Sequence, residues 1–131
     1  MITKILKLFP THKKSIELSV LIKNALEQSA EKISHKLFEK AKEHYNDKQY
    51  DEARTKLLKV INLDIISDKA EDLLKQVDRS YANYHYDIAK KYFDEEKYPP
   101  AKIEIQEVFK LVPEDTRAKK LSDEITKNEA I

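Results

Sequence analysis

Four histidines, His12, His35, His44 and His85, are the side chains best suited to hold a metal or carry a proton near neutral pH. No two of them stand four residues apart, the spacing that sets both imidazoles on one helix face, and no carboxylate–histidine cluster recurs. Acid–base catalysis would need a carboxylate shifted by apolar surroundings. The densest acidic run, Asp94-Glu95-Glu96, falls at an expected helix end, where its members crowd one another and face water. The serines have no histidine at a recognisable activating distance. Cysteine is absent, which removes thiolate chemistry, thiolate metal sites and disulfides. Glycine is absent as well. Phosphate-cradling loops, dinucleotide-binding turns and nucleophile elbows use glycine for close backbone approach or positive φ, so nucleotide hydrolysis and nicotinamide chemistry are not expected. The reading is of a chain that is not an enzyme, with no metal and no cofactor.

Charge and hydropathy narrow the partners. The 131 residues allow one domain with a modest core. Charged residues make up 37% of them, yet Lys+Arg 25 and Asp+Glu 24 nearly cancel, so nucleic acid is not an expected partner. No stretch approaches the length of a membrane span. The start, MITKILKLFPTHKK, alternates apolar residues with charge and meets Pro10 early, so no apolar secretory segment forms and no direct membrane insertion is expected.

The elements that must position any remaining site are punctuated by proline. Pro99 and Pro100 suit the first turn of a helix, which predicts one helix ending near Lys97 and another beginning near Pro99. Pro113 ends that second helix just before itself. The chain also repeats. Shifted by 48 residues, Phe38 meets Tyr86, Ala41 meets Ala89, Tyr45 meets Phe93, Tyr50 meets Tyr98 and Ala53 meets Ala101. Val60 then meets Val108, Leu63 meets Leu111, Ala70 meets Ala118, Leu73 meets Leu121 and Val77 meets Ile125. A third, partial copy opens the chain, with Ile5, Leu8, Pro10, Leu18 and Ile22 matching Val108, Leu111, Pro113, Leu121 and Ile125. Repetition on this scale signals a stacked helical array.

These residues resemble the tetratricopeptide repeat family, whose helical hairpins combine small and aromatic residues at fixed spacing. The second full copy supplies the pattern as Ala89, Tyr92, Ala101 and Pro113. The first supplies Ala41, His44, Ala53 and Ile65, in which histidine and isoleucine depart from the usual aromatic and proline. Small residues have a physical role, because two helices cross closely only where side chains are short. The spacing differs from the family's period of about 34 residues. The excess in each interval is close to a whole number of double helical turns, so a helix can lengthen while keeping the same face inward. Long helices are therefore expected over about 12–46 and 67–96, shorter ones over about 49–63 and 99–111, and a last one from about 114. Apolar steps of three and four from Ala70 through Leu73, Leu74, Val77, Tyr81, Tyr84, Ile88 and Tyr92 support the second long helix. Asp68 with Glu71 is expected to cap it, and Asn46 and Asn62 are expected to take the left-handed positions that glycine normally fills. The first copy starts mid-hairpin and the last helix stops where a long one would continue. The chain is thus read as a single all-α, tetratricopeptide-like domain over 1–131, excerpted from a longer array.

In this family the first helices of successive hairpins line a groove that binds extended or helical partners. Carried onto this sequence, the resemblance implies Phe38, Lys42 and Tyr45 from the first copy and Asn83, Tyr86, Lys90 and Phe93 from the second as partner-binding residues. Two aromatics and one lysine recur at the same offsets, an arrangement suited to a protein or peptide partner with apolar side chains and an acidic or carboxylate group. The alternative is a structural spacer. An apolar stripe some 30 residues long reaches about 45 Å, farther than a short neighbouring helix covers, and could drive homo-oligomer formation.

Overall fold

The structure, a computed structural model, describes the backbone of residues 2–130 and the side chains of residues 17–130. It is all-α: α1 (Ile2–Asn46), α2 (Tyr50–Leu63), α3 (Ser67–Asp94), α4 (Tyr98–Leu111) and α5 (Thr116–Glu129), with no strand among the described residues. From Asn46 onward every boundary falls within three residues of expectation. Pro99 and Pro100 sit in the first turn of α4, where a missing N–H costs nothing, and Pro113 follows the end of that helix.

The beginning of α1 differs. The helix runs from Ile2 without the turn expected at Pro10. A turn between two helices is held by their mutual packing, and the described residues of α1 before Ile33 are nearly all exposed, with no second helix to draw the chain back. The contacts foreseen for Ile5, Leu8 and Pro10 lie outside the described side chains.

The turns after α1 and α3 repeat bond for bond. Gln49 N–H donates to the His44 carbonyl at 2.8 Å and Lys48 N–H to that of Tyr45 at 3.0 Å. In the second copy Lys97 N–H reaches the Tyr92 carbonyl at 2.8 Å and Glu96 N–H that of Phe93 at 3.0 Å. This is the Schellman pattern, in which the residue past the helix end turns left-handed so that the last carbonyls find donors. Lys48 and Glu96 occupy that position, and Asp64 is left-handed after α2. Neither Asn46 nor Asn62 does so: both are still helical, two residues before the reversal. Asp68 likewise is no cap. It already lies inside the first turn of α3, the capping position is Ile66, and Ser67 Oγ donates to Asp64 Oδ1 at 3.1 Å. At α5 a side-chain cap does form, Asp115 Oδ1 accepting from Ala118 N–H at 3.1 Å.

Two buried clusters hold the helices together. Ala41, Ala53, Leu57, Val60, Ala70 and Val77 join α1, α2 and the first half of α3. Ala89, Ala101, Ile105, Val108, Ala118, Leu121 and Ile125, with Ala82, join the second half of α3 to α4 and α5. Position for position the clusters are related by the 48-residue shift, so α3 closes one bundle with its first half and opens the next with its second. Ion pairs tie two of the helix pairs at the rim, Arg54 Nε to Asp78 Oδ1 between α2 and α3 and Lys102 to Glu129 between α4 and α5.

Candidate functional site

The aromatics of α1 and α3 ride on the edges of these clusters. Phe38 and Tyr45 are half-buried against the first, Tyr86 and Phe93 against the second. Helical spacing forces this. Each stands three or four residues from a buried alanine, near enough to lean on the core and far enough round to keep one edge in water.

Each row carries its own cations. The Lys42 ammonium lies 5.2 Å from the Phe38 ring centre and the Lys90 ammonium 5.5 Å from that of Phe93. The Arg117 guanidinium sits 4.6 Å from the Tyr86 ring centre, a cation–π distance. Both lysines are exposed and also pair with carboxylates of their own helix, Lys42 with Glu39 at 3.4 Å and Lys90 with Asp94 at 3.9 Å. Exposed pairs of this kind are weak and exchange readily for a partner's charge.

Asn83, Tyr86 and Lys90 are brought together with α5. Arg117 Nη2 donates to Asn83 Oδ1 at 2.6 Å and to Asp115 Oδ2 at 3.3 Å, which fixes the guanidinium over Tyr86. Tyr86, Lys90, Arg117, Lys120, Leu121 and Glu124 line a trough of about 260 Å³ between α3 and α5. Among its lining residues three cations stand against one carboxylate, with Lys90 also facing Asp94 and Arg117 also facing Asp115, and Tyr86 supplies an apolar wall. Phe93 stands one turn further along α3, 5.9 Å from Tyr98. Phe38, Lys42 and Tyr45 are on α1 and do not line this trough; their link to α3 is the 2.8 Å hydrogen bond between the hydroxyls of Tyr45 and Ser80.

Sequence reasoning missed Arg117 and Lys120. They lie on α5, and their approach to Tyr86 depends on how α5 packs against α3.

Among the described residues no cluster of histidine and carboxylate side chains could hold a metal ion, and no helix is long and apolar enough to cross a membrane. No family profile, curated protein or solved structure matches the chain.

Proposed function

We propose that the chain is a non-catalytic interaction scaffold of the tetratricopeptide type, which displays an aromatic and basic groove to an acidic segment of a protein or peptide partner. The trough between α3 and α5 carries this reading. A carboxylate entering it would meet Lys90, Arg117 and Lys120, while an adjacent apolar side chain would rest against the edge of Tyr86. The paired alanines at the hairpin crossings, Ala41 with Ala53 and Ala89 with Ala101, all fully buried, support the family resemblance. The test is calorimetric titration with a short peptide ending in two aspartates and a free carboxylate. Binding should weaken about tenfold or more in Lys90→Ala and Arg117→Ala, because each removes a charge-assisted contact. It should also fall with salt. Saturable binding that ignores both variants would refute the trough as the site.

A second reading is favoured by α1. Leu18, Ile22 and Leu26 are 57%, 52% and 65% exposed on one stripe of that helix, although the matching Leu73 and Val77 of α3 are covered by α2. A face of that kind supports self-assembly or a spacer role. Light scattering over a concentration series separates the two, since assembly through α1 predicts a mass that rises with concentration and falls back in Ile22→Glu.

A further inference from the structure

The 48-residue symmetry that governs the turns after α1 and α3 and both cores does not extend to the residues that follow those turns. After the first turn comes Tyr50-Asp51-Glu52, and after the second comes Tyr98-Pro99-Pro100. The tyrosine recurs and the two carboxylates do not. Tyr81 of α3 has Glu129 as its counterpart, so the stacking of Tyr81 on Tyr50 is also unique to the first copy, whereas the Tyr45–Tyr50 contact recurs as Phe93–Tyr98. The buried alanines and the Schellman turns recur in both hairpins; these residues do not.

What they build is a cleft of about 300 Å³ between the start of α2 and the middle of α3, lined by Lys48, Gln49, Tyr50, Asp51, Glu52, Tyr81 and Tyr84. Tyr50 and Tyr81 are stacked with ring centres 5.2 Å apart, and Tyr84 continues the aromatic wall 6.4 Å beyond Tyr81. His85 packs behind, 4.8 Å from the Tyr81 ring and bonded through Nδ1 to Glu104 of α4. Tyr84 is 53% exposed, a large aromatic surface left to water. Tyr84 and Tyr86 are two residues apart on α3, and at about 100° per residue they face opposite sides of the helix. The cleft is therefore separate from the basic trough.

Its charge has the other sign. Among the described residues lining it, Lys48 is the one cation against Asp51 and Glu52, and neither Lys48 nor Glu52 is held in an ion pair. Asp51 Oδ2 accepts from the Tyr81 hydroxyl at 3.1 Å, which leaves its second oxygen available. Glu107 of α4, itself 3.0 Å from Lys110, adds to the negative field at the Tyr81 hydroxyl. An aromatic face beside carboxylates attracts a cation through both the ring quadrupole and direct charge, and a planar guanidinium can stack on a ring while its edge meets a carboxylate. The same chain already holds a guanidinium over a tyrosine ring, where Arg117 lies 4.6 Å from the ring centre of Tyr86.

We infer that this cleft is a second recognition site, which takes an arginine side chain from a basic segment of a partner protein, stacked on Tyr84 and paired with Asp51 and Glu52. It is independent of the trough between α3 and α5, and either site can fail without the other.

The experiment is titration of the full chain with N-acetyl-arginine amide, followed by the tyrosine ring resonances, with the uncharged citrulline analogue as control. Saturable shifts at Tyr50, Tyr81 and Tyr84 are expected, absent with citrulline. The affinity should fall roughly three- to tenfold in Tyr84→Ala and in Glu52→Gln. Both side chains are exposed, so helical content should be unchanged; if Tyr84→Ala loses it, Glu52→Gln alone decides. Shifts that never saturate, that citrulline reproduces, or that persist at full affinity in the folded variants overturn the assignment.

Discussion

Lys48 and Glu96 share one backbone conformation, φ 62° and φ 61°, at equivalent points of the two copies. Their side chains have opposite charge, both are exposed, and neither is needed for the left-handed geometry. That geometry is imposed by the paired hydrogen bonds closing α1 and α3, in a chain with no glycine to adopt it freely. A side chain with a Cβ pays roughly 1–2 kcal/mol for such a position.

Replacing either residue by glycine should therefore stabilise the fold. Lys48→Gly and Glu96→Gly are each expected to gain about 1 kcal/mol, less the greater freedom of glycine in the unfolded chain. Urea unfolding monitored by helical signal would show a higher midpoint with an unchanged slope. A lower midpoint would mean that the turn is held otherwise than described.

The buried small residues predict effects of opposite sign. Ala101 is fully buried at the crossing of α3 and α4, so Ala101→Leu should destabilise by about 1–3 kcal/mol through overpacking. Ser34 occupies the place that Ala82 holds in the second copy, and its buried hydroxyl has no hydrogen-bond partner among the described residues. Ser34→Ala removes an unsatisfied polar group costing about 1–3 kcal/mol, and stability should rise. Thermal midpoints of the two variants against the parent chain measure both.

Alkaline pH should act through Tyr81. Burial first, then its hydrogen bond to Asp51 and the charges of Asp51 and Glu107, push its hydroxyl up from 10.0 to about 12. A raised pKa means that the folded state holds the proton more tightly, so this stabilisation is complete below pH 10 and is lost as pH rises from about 10 to 12. Unfolding free energies across that window should fall more steeply for the parent chain than for Tyr81→Phe. Equal slopes would show that the hydroxyl is not held as described.

Apart from the start of α1, the amino-acid sequence by itself determined the helices and their repetition. Proline at positions 99, 100 and 113 acts on the backbone of its own turn, and the 48-residue recurrence of Ala41, Ala53 and Val60 as Ala89, Ala101 and Val108 is periodicity that any neighbour must satisfy. Two of the six trough residues, Tyr86 and Lys90, were legible for the same reason, since with Asn83 they share one face of one helix. Only the tertiary structure decided the rest. Arg117 reaches Tyr86, and Tyr50 stacks on Tyr81, through contacts between residues about 30 apart in sequence, set by which helix faces meet. The left-handed residues were hidden for a related reason: without glycine, position is chosen by which carbonyls the turn must satisfy, not by the side chain that happens to stand there.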